Sequence, residues 1–396
     1  MKKESRNHTG TTRAKPTART PRGGGGAVAS ESIHGVADLS ERHGAFLRRV
    51  ENNYLPSRED PNLPLPLVQE WGLRDGTEVH GTIQPAHSGR RSVASIVSAN
   101  GRSKPGDHRA LPDFQSLISV NPTTHIELGI ERSQTSLRVI DLIAPIGRGQ
   151  RGLIVSPPRA GKTTLIEEIG VAISKHHPDI HLMLLLIDER PEEVTHFRRS
   201  VKAEVLASSS DSAGESHLRI AWIAVERAKR LAEAGRDVVI LLDSITRLGR
   251  ASNREMGAGG RAMSGGVDHR ALQFPRQFFG AARSCEGSGS LTILATVLID
   301  TASRMDEVIF QEFKGTGNME LILDRDLAEH RIFPAVDVLR SGTRREELLC
   351  SADELRQRHL LRRALAGMSL EDAARRLIDR VEKTESNSEL LKAITR

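Results

Sequence analysis

Four continuous apolar runs punctuate the second part of the chain: "GLIVS" (152–156), "LMLLLID" (182–188), "DVVILLD" (237–243) and "LTILATVLID" (291–300). None alternates with polar residues as a half-solvated strand would, so each predicts a strand buried on both faces of a mostly parallel sheet. Between them "LRIAWIAVERAKRLAEAG" repeats apolar residues at helical spacing and stops at Gly235, a helix C-cap signal. Strands alternating with such helices predict an α/β domain with crossover connections over residues 126–396. Upstream the pattern shortens. "AFLRRV", "TEVHGTI" and "RSVASIVS" are brief strands separated by Gly, Pro, Asn and Asp, and predict a small β-barrel over residues 33–104. Residues 105–125 carry little periodicity and read as a connector. The final stretch, "SLEDAARRLIDRVEKTESNSELLKAITR", reads as amphipathic helix closing the second domain.

Composition narrows the class. The 396 residues are 38% hydrophobic and 27% charged, ordinary for a soluble protein, and the longest apolar runs are too short to span a bilayer. A membrane partner is not expected. Cys285 and Cys350 form neither a disulfide framework nor a metal-ligand spacing, which suits a reducing cytoplasm. Charge is unevenly placed: residues 1–30 hold seven Lys and Arg against Glu4 alone, which accounts for the net +6 of the whole chain. This Thr/Gly-rich tail, 1–32, has almost nothing to bury and is expected to be disordered. It reads equally as a polyanion-seeking arm and as a solubilising tail.

The chemistry begins at "SPPRAGKTTL" (156–165). Gly161-Lys162-Thr163 has the tail of the phosphate-binding pattern G-x-x-x-x-G-K-[ST], with Ser156 where the first glycine is usual. Its context is a strand, "GLIVS", running into a helix, "TTLIEEIGVAI". There the backbone N–H groups of a helix start can cradle phosphates, while Lys162 adds a point charge and Thr163 a Mg²⁺ ligand. Pro157 and Pro158 lack N–H groups, so the donors fall on residues 159–163. "DVVILLD" closes on Asp243, a carboxylate placed to support Mg²⁺. "LMLLLID" runs into Glu189 and Arg190, suited to polarising an attacking water and contacting a γ-phosphate. One such acid alone is more often a loop residue. Three signals at strand ends read as nucleotide hydrolysis.

Longer strings carry a resemblance. "APIGRGQRGLIVSPPRAGKTTL", "LLLIDERPEEVT", "LLDSITRLGR", "MDEVIFQEFKGTGNMEL", "RIFPAVD" and "SGTRREELL" resemble the Rho family of bacterial transcription termination factors, closely from about 126 to 350 and loosely over 33–125. The resemblance implies an OB-fold/cold-shock-like barrel of five strands ahead of a RecA-like P-loop ATPase motor. It implies ATP and Mg²⁺ as cofactors, and single-stranded RNA, RNA polymerase and a homohexameric ring of identical chains as partners. The family loop also opens on a small residue and two prolines, so Ser156 fits it. By position, Pro158, Arg159, Ala160, Gly161, Lys162, Thr163 and Thr164 would hold nucleotide, and Thr163 and Asp243 the metal. Glu189 would activate water, and Arg190 and Arg247 would sense phosphate. Phe333 would stack on adenine, and Arg344 would act in trans as an arginine finger. RNA contacts would come from "GGRAMSGG", with Arg261, Gly265 and Gly266, and from Arg304, where the family has lysine.

The barrel departs from the family. Phe46 and Arg48 match its RNA-binding strand, but the preceding aromatic is Gly44, and the other stacking positions fall near Asn62 and Ser92. Each stacked base contributes about 1–3 kcal/mol, so weak or base-relaxed RNA binding is expected there. The favoured function is a 5′-to-3′ RNA translocase and RNA–DNA helicase that releases transcripts. The alternatives are a rotary-type ATPase subunit and an RNA-binding scaffold with a vestigial ATPase.

Overall fold

A computed structural model of the protein describes residues 31–40, 44–87, 90–130, 134–210, 214–256, 266–268 and 270–394. The basic segment 1–30 lies outside them, and so does the expectation of disorder there. Among the described residues no helix is long and apolar enough to cross a membrane.

The first unit is built on strands β1 (Glu31–Ser40), β2 (Gly44–Arg48), β3 (Glu78–His87) and β4 (Arg90–Ala99), in the antiparallel order β2-β1-β3-β4. Strand β1 starts two residues ahead of the expected boundary and carries a weak apolar signal. Gly35 stands on its core face because a Cβ there would meet the Arg48 carbonyl oxygen at 2.5 Å. Residues 61–63 then close the sheet. Asn62 donates its N–H to the Arg91 carbonyl at 2.9 Å and accepts from Val93 at 2.9 Å, while Leu63 donates to Ala45 of β2 and Leu47 of β2 donates to Pro61. Asn62 thereby bridges Phe46 on β2 and Ser92 on β4, and stands in for a fifth strand. The interior is filled by Ala37, Leu47, Leu63, Trp71, Val79 and Val93.

The second unit holds β5 (Ser119–Val120), β6 (Arg151–Ser156), β7 (His181–Glu189), β8 (Glu204–Ser209), β9 (Val238–Asp243), β10 (Arg283–Cys285), β11 (Ser290–Leu298), β12 (Met319–Ile322) and β13 (Gly342–Thr343). Its sheet runs β13-β12-β6-β11-β9-β7-β8, with β12 through β8 parallel and short antiparallel additions from β13, β10 and β5. The continuous apolar runs are explained by β7: Leu182, Leu184 and Leu186 pack into the core on one face. Met183, Leu185 and Ile187 pack into the core on the other. The helix Gly214–Glu233 covers that second face, and Gly235 follows it at φ 88°. The C-terminal stretch folds as two helices rather than one, Leu370–Glu382 and Asn387–Ile394.

A polar seam joins the two units. Arg227, on the helix Gly214–Glu233, lays its Nε 2.9 Å from both oxygens of Glu204 on β8. Tyr54 of the first unit donates its hydroxyl to Glu204 at 2.8 Å, and Arg74 reaches Glu233 at 2.5 Å. Burial acts to raise the Glu204 carboxyl, yet Arg227 and His181 hold it down at about 2. Gly76, at φ 83°, lets the chain press on the helix backbone, where a Cβ would meet the Arg227 nitrogen at 2.4 Å.

Candidate functional site

The parallel sheet brings the C-terminal ends of β6, β7 and β9 to one edge, so residues far apart in sequence converge there. Strands β7 and β9 are neighbours, while β11 lies between β9 and β6. After Ser156 the chain turns through Arg159 at φ 66° and Gly161 at φ 90°, then enters the helix Lys162–His176. Positive φ at Arg159, a non-glycine residue, is backbone strain of the kind kept at ligand loops. The unpaired N–H groups of this helix start face the place where phosphates would lie. Thr163 sits in its first turn, with Pro158, Arg159 and Thr164 exposed and Ala160 buried.

Lys162 reaches across the sheet edge to the acids. Its Nζ lies 2.6 Å from Asp243 Oδ2 and 3.8 Å from Glu189 Oε1. Asp243 is fully buried and accepts at 2.8 Å from the hydroxyl of Thr296 on β11, a supporting residue the sequence did not single out. Arg247 bonds the Asp188 carbonyl and places Nη2 3.3 Å from Glu189 Oε1. Glu189 is 1% exposed, and its Oε1 has no hydrogen-bond partner among the described residues. Burial, aided by the Asp243 charge, pushes its carboxyl up to about 7 against the pull of Lys162 and Arg247. Arg190 is exposed just past β7, where it starts the helix Pro191–Ser200.

Beside the loop opens a cleft of about 430 Å³ lined by Gln134, Ala160, Gly161, Thr164, Glu168 and Phe333, among others. Phe333 is 48% exposed, with its ring edge 3.9 Å from where a Gly161 Cβ would stand. An exposed phenyl beside a phosphate loop suits a planar base. Glu168 lies one helical turn from Thr164, so helical periodicity could have marked it as part of this wall. The donor set fits Mg²⁺ and a nucleoside triphosphate: a helix start, a cation on a buried carboxylate, and a buried acid oxygen that accepts no hydrogen bond among the described residues. When bound, Mg²⁺ would be supported by Thr163 and Asp243 and would offset phosphate charge.

Other expected residues stand elsewhere. Arg344 is exposed beyond β13, in a separate cleft with Asn318, Glu320, Glu346 and Arg362, and does not line the Phe333 cleft. Gly266 is exposed at φ 75°, and Arg304 is exposed at the start of the helix Arg304–Lys314. Arg261 and Gly265 lie outside the described residues. In the barrel Phe46, Asn62 and Ser92 come together as bridged neighbours. Arg48 is placed differently from the expectation of an RNA contact. Its guanidinium is buried between Asp38 and Asp60 at 2.7 Å from each, 4.8 Å from the Phe46 ring centre, where its charge offsets the two buried acids. Asp38 also takes Arg219 of the second unit.

Residues 136–343 match the ATP synthase alpha/beta family, nucleotide-binding domain. Over 364 residues the chain is 50% identical to transcription termination factor Rho of Streptomyces lividans, covering 91% of this chain and 51% of that protein. The Rho of Micrococcus luteus is 48% identical over 92% of this chain and 54% of its own length. The chain thus spans about half the length of these two relatives. The Rho of Streptosporangium roseum is 46% identical over 385 residues, covering 97% of this chain and 98% of its own. Among solved structures, an ATPase of a bacterial type III secretion system superposes with a TM-score of 0.60 at 21% identity, covering 79% of this chain and 94% of its own. That likeness shows a RecA-like P-loop fold shared by otherwise different ATPases. With the loop, its carboxylates and the preceding barrel in place, the chain belongs to the transcription termination factor Rho family.

Proposed function

We propose that this chain is an ATP-driven RNA translocase that moves 5′ to 3′, unwinds RNA–DNA hybrid and releases transcripts from RNA polymerase as a cytoplasmic homohexameric ring. The observation that carries the hydrolytic part is the cluster of Lys162, Asp243, Glu189 and Arg247 at one sheet edge. Lys162 orients and neutralises phosphate oxygens, and the loop N–H groups hold them in register with the helix start. Glu189 takes a proton from the attacking water at its Oε1, and a carboxyl held at about 7 is poised for that exchange near neutral pH. Phe333 and the cleft wall hold the base. Arg344, remote from this cleft in its own chain, acts on the neighbouring subunit's nucleotide.

Membership of the Rho family supports the nucleic-acid part. Residues 31–104 would form the primary RNA domain, 105–125 a connector and 126–394 the motor, with Arg304 and the loop holding Arg261, Gly265 and Gly266 tracking RNA phosphates. Phe46 would supply the remaining stacking ring of the barrel. The test is ATP turnover by the full chain with and without poly(C), poly(U) and poly(A). RNA should stimulate turnover several-fold, Lys162→Ala should abolish it, and Arg304→Ala should remove the stimulation while leaving ATP binding. Turnover that ignores RNA in the unaltered protein would remove translocation and termination from this reading and favour a rotary-type ATPase. RNA binding without turnover would favour the scaffold.

A further inference from the structure

On the outer face of the barrel, away from the nucleotide cleft, β1 and β3 set two imidazoles and a carboxylate side by side. His34 and His80 are directly opposed in the β1–β3 register, and Glu78 lies two residues before His80 on the same face. The imidazole rings stack with centroids 4.2 Å apart and planes 22° from parallel. His34 Nε2 is 2.9 Å from Glu78 Oε1, and His80 Nε2 is 3.9 Å from that same oxygen. One ligand atom from each residue lies within 4.8 Å of the other two. The paired strands fix all three backbones, so only ring and carboxylate rotations separate this arrangement from a shared ligand sphere.

We propose that His34, His80 and Glu78 form a divalent transition-metal site, taking Zn²⁺ or a metal of the same borderline class, beside the seam between barrel and motor. Two imidazoles and one carboxylate match the donors such ions take, whereas Mg²⁺ and Ca²⁺ call for oxygen donors throughout. The half-exposed rings leave a path for the ion and room for water to complete its coordination. Arg227 also reaches the Glu78 carboxylate, but at 3.5 Å, the longer of its contacts beside the 2.9 Å bonds that hold it to Glu204. An ion here would tie β1 to β3 at the point where the barrel faces Arg227, and would stiffen the barrel where it seats on the motor.

The experiment uses the full chain, free of nucleotide, titrated with Zn²⁺ by calorimetry and followed in parallel by thermal melting. The comparison is with His34→Ala, His80→Ala and the double variant, whose altered rings are exposed and so leave the fold intact. The unaltered protein should bind one more equivalent of Zn²⁺ than the double variant. Each single change should weaken that equivalent by about tenfold or more. The melting temperature should rise with Zn²⁺ in the unaltered protein and rise less in the double variant. Identical isotherms and identical melting shifts in unaltered and double-variant protein, or no Zn²⁺ binding by the unaltered protein, would overturn the site.

Discussion

Glu189 is buried to 1% exposure opposite the fully buried Asp243, and its carboxyl titrates at about 7 rather than at its ordinary 4.5. Between those two values the folded chain holds a proton that the unfolded chain has lost. The resulting stabilisation is full below about pH 4.5 and disappears as pH rises through 7. By linkage it amounts to about 3 kcal/mol. Glu189→Gln removes the buried charge and keeps the shape, so urea unfolding in slightly alkaline buffer should become harder by about 1–3 kcal/mol, with a flatter dependence on pH. ATP turnover should fall by at least about 10². A variant that loses both turnover and stability would mean that Glu189 holds the site together rather than acting in it. Lys162, Asp243 and Glu189 were legible in the sequence because each ends a buried strand or starts a helix, and parallel strands must bring those ends to one edge. Arg48 was not legible as an internal residue, since its partners Asp38 and Asp60 come from other segments of the barrel.

At the level of elements, long apolar strands announce themselves, while elements made by closure do not. Strands β6, β7, β9 and β11 stand within two residues of the runs that predicted them. The strand-like segment 61–63 carries no periodicity, because its role rests on backbone bonds from Asn62 to Arg91 and Val93. That segment nevertheless sets three side chains, Phe46, Asn62 and Ser92, in one row across the barrel. Only the first offers a flat face, and Arg48 lies 4.8 Å from its ring centre. If the row is an RNA platform short of rings, restoring them should strengthen it without adding charge. Asn62→Tyr with Ser92→Phe should tighten binding of short pyrimidine RNA by about 1–3 kcal/mol for each ring that stacks, with the salt slope unchanged. The Asn62 contribution to closure is backbone, so the substitution leaves it in place. Unaltered affinity in a folded double variant would assign the row to structure and the barrel to a lid.

Across the whole molecule, the proposed reading divides the hydrolytic site between two places on one chain. Lys162, Glu189 and Asp243 meet at the end of the phosphate loop whose Ala160, Gly161 and Thr164 line the cleft with Phe333, whereas Arg344 sits in the cleft with Asn318 and Arg362 beyond the β12–β13 edge of the sheet. The barrel is seated on the motor through Arg227, Glu204, Tyr54 and Gly76, so the molecule behaves as one block carrying both surfaces. On the proposed reading, a block with a nucleotide cleft on one side and Arg344 on another would complete its site by placing copies side by side. That geometry predicts complementation. Arg344→Ala alone should lose about 10³–10⁵ in turnover, and Lys162→Ala alone should be inactive. Mixed, the two variants should regain a measurable fraction, because some interfaces then pair an intact Lys162 loop with an intact Arg344 from the next subunit. Recovery should depend on total protein concentration, since it requires assembly. Arg344→Ala with near-normal turnover would place the completing cation elsewhere, and an inactive mixture of two assembled variants would mean that every subunit must be whole for any to turn over.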